Sequence, residues 1–209
     1  MKISKRIVLS SIVCLLPLTV SARLYDQLPN RMPIHWNPIG EADGFIEKNI
    51  GAWGLPLLML AIHLITAVKT ERDTSRQHLS RMTNTLCFWS VPLVCVTLIP
   101  LSLCKAAGYR CNMTRIVMTV VGVLFIVAGN YLPKNQPNNI AGYKLPWTQK
   151  DPDNWNKTHR FAGAVWVICG FVFILVSLIS PDNRLRILTI VAAIAALLAP
   201  VIYSRIEKN

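Results

Sequence analysis

The side chains that could do chemistry are few and far apart. His35 and Asp43 sit in a stretch rich in proline and glycine. They could ligate a metal, but two ligands without the spacing of a zinc or calcium site select no ion. His63 lies inside an apolar run, and His159 follows Trp155 by four residues just ahead of another. The six cysteines (14, 87, 95, 104, 111 and 169) contain no CxxC pair and read as buried apolar thiols. Only Cys104 and Cys111 are placed to meet at the outer surface. No HExxH, GxSxG, phosphate-binding Gly-Lys loop or GxGxxG occurs, so the common motif-bearing chemistries lack their residues. The expectation is a protein that is not an enzyme, with no catalytic residue, no cofactor and no metal.

The elements that hold these residues are set by composition. The 209 residues are 53% hydrophobic and 15% charged, with 22 Lys and Arg against 10 Asp and Glu, and a mean hydropathy of +0.41. A soluble domain carries about 25% charged residues, so this chain lacks the polar groups to cover itself. Disorder requires low hydrophobicity and is excluded. Direct nucleic-acid binding would need the cations gathered on one soluble face, whereas here they are scattered between apolar runs. Six stretches lack any Asp, Glu, Lys or Arg: 7–22, 49–68, 82–104, 116–133, 161–181 and 187–204. A helix crosses the hydrocarbon with roughly 17 to 25 such residues. The fold class is therefore all-α, a polytopic membrane protein of six transmembrane helices in contact with membrane lipids. With no carboxylate in any run, His63 is the one clearly intramembrane ionisable side chain, either a neutral hydrogen-bonding group or the mark of a polar path.

Orientation follows the cations. Lys2, Lys5, Arg6, Lys69, Arg72, Arg76, Arg81, Lys134, Lys144, Lys150, Lys157, Arg160, Arg205 and Lys208 fall on one side, outnumbering those on the other. Cations favour the cytoplasmic side, which places both termini there. The first run also fits a signal peptide cleaved after Ala22, but an uncleaved anchor is the preferred reading. Ala192, Ala193, Ala195, Ala196 and Ala199 offer a small-residue packing face, within or between subunits, so the oligomeric state stays open.

Two long loops lie on opposite faces. The outer one, 23–48, carries Pro33, His35, Trp36, Asn37, Gly40, Asp43 and Gly44. It reads as turns, with Trp36 and Phe45 at the headgroup level. The inner one, 130–160, ends on Asp151 and Pro152, an N-cap followed by a first-turn proline. This predicts a helix running straight into the fifth span. Along it Trp155, His159, Ala162 and Trp166 share one face. They read either as an interfacial anchor or, with Trp147, Asn154 and Arg160, as a polar docking site.

The inner loop carries a recognisable series. Gly142, Tyr143, Lys144, Leu145, Pro146, Trp147 and Thr148 are followed by Asn154, Trp155, Asn156, Lys157, Thr158, His159, Arg160, Phe161, Ala162 and Gly163. Gly129, Asn130, Pro133 and Lys134 precede them. The series resembles the signature of the SdpI-like family, the Sdp-toxin immunity proteins of bacteria. Leu28, Pro29, Pro33 to Asn37 and Gly40 to Gly44 resemble the short module often fused ahead of it. Lys144 stands where the family more often has Arg, which forms a bidentate fork that Lys cannot. Three segments result: 1–48, the first helix and outer loop; 49–115, the second and third helices; and 116–209, the signature region with the last three helices.

The resemblance implies a protein of the bacterial cell membrane that protects against a secreted membrane-active peptide toxin. It also implies a cytoplasmic repressor held at the membrane once toxin is present. The outer-loop residues then face the toxin. Asn130, Pro133, Lys134, Asn138, Gly142, Lys144, Pro146, Trp147, Thr148, Asn154, Trp155, Thr158, His159 and Arg160 form the inner motif. The alternative is a small transporter or exporter accessory using His63, told apart by whether His63→Ala abolishes function while folding survives. Topology is directly testable. In a variant lacking the native cysteines, an impermeant thiol reagent applied to intact cells should label a cysteine at position 43 and not one at position 151. Labelling at 151 would invert the orientation.

Overall fold

The computed structural model describes residues 4–36, 41–179 and 186–208. Asn37 and Gly40, expected to face the toxin, lie outside the described residues. Six helical segments are long and apolar enough to span a membrane: Lys5–Gln27, Ile50–Arg72, Arg81–Ala106, Met113–Lys134, Pro152–Ile179 and Ile187–Ile206. The chain is a multi-pass helical membrane protein, as composition requires. Large apolar side chains such as Ile168, Ile179 and Leu197 are more than 60% exposed, a surface suited to lipid and unsuited to water. The chain forms two compact units, Met1–Glu71 with Phe88–Met113, and Arg72–Cys87 with Thr114–Asn209.

Prolines shape the first unit. The first span is two helices, α1 (Lys5–Leu15) and α2 (Pro17–Leu24), divided at Pro17. Pro17 offers no N–H to the Val13 carbonyl, which takes the Leu16 N–H instead, at 3.2 Å. Helix α3 (Leu55–Arg72) follows a wide turn over Ile50–Gly54. There Pro56 frees the Ala52 carbonyl, and the Ser21 hydroxyl donates to it at 2.6 Å. Ser4 donates to Glu71 at 2.6 Å and Ser10 meets His63 at 2.7 Å, so α1 and α2 are joined to the chain from 50 to 72 by a ladder of polar contacts. Cys14, Leu24, Met32, Ala52, Cys95 and Leu103 fill the core beside it, the last two from α4 (Arg81–Ala106).

The 23–48 loop is not all turn. It contains an antiparallel hairpin, β1 (Arg31–Trp36) and β2 (Ala42–Glu47), an addition to the all-helical expectation. Arg31 faces Glu47, Met32 faces Ile46 and Pro33 faces Phe45, with irregular register around His35. Strand periodicity explains it: Ala42, Gly44 and Ile46 are partly buried while Asp43, Phe45 and Glu47 are exposed. Met32, at 1% exposure, anchors the hairpin in the first core. Proline and glycine punctuation masked that two-residue period.

Glycines shape the second unit. Helices α5 (Met113–Tyr131) and α7 (Pro152–Ile179) meet through two reciprocal pairs. A Cβ on Gly122 would lie 2.7 Å from the Gly170 carbonyl oxygen and one on Gly170 2.6 Å from that of Gly122. Gly129 and Gly163 repeat the relation at 2.8 and 2.6 Å. Only glycine lets two backbones approach this closely. Phe125 of α5 stacks on Trp166 at 4.7 Å and lies edge-on to Phe173 at 5.3 Å. Helix α7 starts where expected: Asp151 accepts the Asp153 and Asn154 N–H groups at 2.9 and 3.3 Å. Its 28 residues span about 42 Å, more than the roughly 30 Å of hydrocarbon, so part of it stands clear. The unit is completed by short α6 (Pro146–Lys150) and by α8 (Arg186–Ile206), which contains Pro200.

Candidate functional site

The signature residues fold into one hydrogen-bonded body between α5, α7 and α8. A 3-10 turn over Leu132–Lys134 ends α5 and delivers Asn135. The Asn135 side chain accepts the Ser80 N–H at 2.8 Å and donates to the Tyr131 and Leu132 carbonyls. Its own carbonyl accepts Trp155 Nε1 at 2.8 Å. Asn138 caps the next turn, taking the Ile140 and Ala141 N–H groups on one oxygen. Asp73 holds the Ser75 N–H and hydroxyl at 2.8 and 2.6 Å, and these bonds keep its carboxyl below the usual range. Ser75 in turn accepts the Asn139 N–H at 3.0 Å. Lys144 donates back to the Asn139 and Ile140 carbonyls at 2.9 and 3.3 Å. Its ammonium thus ties the loop to itself.

Gly142 is the hinge of this loop. Its φ of +116° suits glycine, and a Cβ there would collide with the His159 ring. The turn aims the Tyr143 N–H at His159 Nε2, 3.0 Å away. His159 Nδ1 lies 2.8 Å from the Trp155 carbonyl. One nitrogen faces a donor and the other an acceptor, so the ring is neutral and carries its hydrogen on Nδ1. Trp155 stacks on it at 3.9 Å. Beyond Tyr143, Thr148 receives the Leu145 N–H at 3.0 Å and donates to the Tyr143 carbonyl at 2.7 Å, closing α6 on itself.

The Tyr143 hydroxyl reaches into the unit. Pro200 has no N–H for the Ala196 carbonyl one turn back in α8. That carbonyl instead accepts the Tyr143 hydroxyl and Trp166 Nε1, the latter at 3.2 Å. Trp166 also donates to the Tyr143 oxygen at 2.8 Å. Burial raises the Tyr143 phenol above its ordinary range, with the Trp166 N–H opposing the shift. At the far end of α8, the Ser204 carbonyl accepts Asn154 Nδ2 at 3.0 Å and its hydroxyl accepts Trp147 Nε1 at 3.1 Å. Thr158 donates to the other Asn154 atom at 3.1 Å.

Burial divides the inner motif into two sets. Asn138, Thr148, Asn154, Trp155, Thr158 and His159 are at most 3% exposed, so the expected docking face built on Trp155 and His159 is closed over by the returning loop. Asn130, Lys134, Lys144, Pro146 and Arg160 are exposed, while Pro133, Gly142 and Trp147 are partly covered. Trp147 has the Arg205 guanidinium 5.0 Å and the Lys208 ammonium 5.9 Å from its ring centre. Lys157 bridges Asp153 at 3.2 Å and Glu207 at 2.9 Å. Sequence reasoning passed over Asn135, Ser204 and the hydroxyl of Tyr143. Pro200, four residues after Ala196, was the available signal.

The hairpin residues are arranged separately. His35 Nδ1 and Asp43 Oδ1 lie 2.5 Å apart across the strands, largely exposed. They bond each other, and no group of three or more metal-ligating side chains occurs among the described residues. Gly44 sits against the His35 Cβ, and the Pro33 carbonyl accepts the Ser102 hydroxyl at 3.2 Å. His63 is fully buried in the α1–α3 ladder.

The chain resembles known proteins along most of its length. Residues 134–204 match the SdpI/YfhL protein family, and residues 12–60 match a domain of unknown function (DUF1648). The chain is 29% identical over 198 residues to a protein named Immunity protein SdpI from Bacillus subtilis (strain 168), covering 93% of this chain and 92% of that one. No solved structure matches.

The hinge can be tested against a second glycine. A non-glycine residue at positive φ costs roughly 1–3 kcal/mol, and Gly108, at +90°, would place a Cβ in open space. Gly142→Ala should therefore lower the apparent Tm in detergent clearly more than Gly108→Ala. Equal losses would mean that the His159 contact adds nothing to backbone strain.

Proposed function

Because the chain belongs to the SdpI/YfhL protein family, we propose that it is a membrane immunity protein, protecting its cell from a secreted peptide toxin that acts on the membrane. The observation that carries this reading is the likeness, along nearly the whole of both chains, to a protein named for immunity. In this reading the first span is an uncleaved anchor and both termini are cytoplasmic.

The hairpin then faces outward and meets the toxin. Its exposed Arg31, Phe45 and Glu47, with the Arg31 guanidinium 5.8 Å from the centre of the Phe45 ring, combine charge and aromatic area, a surface suited to an amphipathic peptide. Pro33, His35, Asp43 and Gly44 belong to this face, and Trp36, Asn37 and Gly40 are its further candidates by sequence alone. The inner motif holds a soluble transcriptional repressor at the cytoplasmic side. Contact is made by the partly covered Trp147, with Arg205 and Lys208 beside it, together with the exposed Lys144 and Arg160, since Trp and Arg are favoured interface anchors. The buried Trp155, His159, Asn154 and Thr158 are the scaffold that presents them.

Expression in a toxin-sensitive bacterium, scored by survival against membrane-active peptides at matched membrane levels, tests this division. The wild-type chain should protect, Trp36→Ala should protect less, and Arg160→Ala should retain protection while weakening capture of a repressor. If protection survives Trp36→Ala and disappears with Arg160→Ala, the hairpin is not the toxin-facing surface. If the wild-type chain protects against no such peptide, the immunity reading fails.

A further inference from the structure

His63 is held from one side only. Its Nε2 lies 2.7 Å from the Ser10 hydroxyl, which also has the Arg6 carbonyl at 2.7 Å and the Ile7 carbonyl at 3.1 Å within reach. Ser10 has one hydrogen to give. If it goes to a helix carbonyl, the ring donates from Nε2 and Nδ1 is a bare lone pair. If it goes to the ring, the hydrogen sits on Nδ1. Either way Nδ1 has no protein partner among the described residues, and the side chain is 0% exposed. One flank of the ring is closed by Phe88, edge-on at 5.7 Å. Ser11 on α1 adds a second buried hydroxyl with no protein partner. Polar groups left unbonded in a membrane interior are costly enough that they rarely occur.

We propose that the α1–α3 seam binds a water molecule at His63 Nδ1, inside the membrane. Water can donate to a bare Nδ1 or accept from a protonated one, so it satisfies either tautomer. A cation could serve only the bare nitrogen, and the charges nearby disfavour it. The Arg6 guanidinium lies 4.5 Å from the centre of the Phe88 ring that flanks His63, while Glu71 is engaged by Ser4 at 2.6 Å. Ile7, Ala67 and Phe88 form the apolar packing around this end of the seam. The water therefore lies beside the polar contact between α1 and α3, with apolar side chains around it.

Water-edited solid-state NMR on the full chain in lipid bilayers, with labelled histidine and phenylalanine, reads this directly. The chain has four histidines. His63→Gln identifies the relevant ring, and His35→Gln, His78→Gln and His159→Gln identify it by elimination should that variant fail to fold. Phe173, buried in the apolar core of the second unit, is the dry reference. Magnetisation from water should reach the His63 ring several-fold sooner than the Phe173 ring. Equal build-up of the two would mean a dry imidazole and would overturn the proposal.

Discussion

A backbone carbonyl that loses its helical N–H to a proline has no bulk water to turn to inside a bilayer. The second unit is organised around one such group. Pro200 frees the Ala196 carbonyl, and Tyr143 and Trp166 supply the replacement donors. For the Tyr143 hydroxyl to reach α8, the chain must fold back, which the left-handed turn at Gly142 permits. That turn presents the Tyr143 N–H to His159, whose other nitrogen is committed to α7, while Trp155 crosses to Asn135 at the end of α5. Three helices and a loop are thereby tied through side chains that each meet a specific backbone group. The same constraint recurs in the first unit, where the Ser21 hydroxyl takes the carbonyl freed by Pro56.

The network also sets which residues of the inner motif are left uncovered. A fully bonded buried network rigidifies the loop, so the exposed face of Trp147 and the cations around it are presented on a fixed base. Lys144 uses its ammonium on two loop carbonyls, a role that does not need Arg's planar fork. The inner motif therefore mixes buried residues that hold its shape with residues left exposed, and burial separates the two.

Much of this was legible in the residues. Uninterrupted apolar runs located six spans, and Asp151 with Pro152 located the start of α7, because both signals are local. The hairpin was not legible, since Pro33 and Gly44 read as turn residues and the alternation of Ala42, Gly44 and Ile46 is weakly apolar. The burial of Trp155 and His159 was half legible. Helical spacing put them on one face, but what covers that face is a loop returning from residues 138–145, a long-range event that no local pattern reports. The link between Pro200 and Tyr143 was available only as a question: which donor replaces the missing N–H?

A double-mutant cycle answers that question. Tyr143→Phe removes the hydroxyl alone, and losing a buried hydrogen bond of this kind costs about 1–3 kcal/mol. Pro200→Ala restores an N–H that can bond the Ala196 carbonyl within α8. If the proline-freed carbonyl is what positions the loop, Tyr143→Phe should lower the apparent Tm markedly in the wild-type background and much less in Pro200→Ala. An equal loss in both backgrounds would contradict the account, because Tyr143 would then be held for reasons unconnected to the missing helical bond.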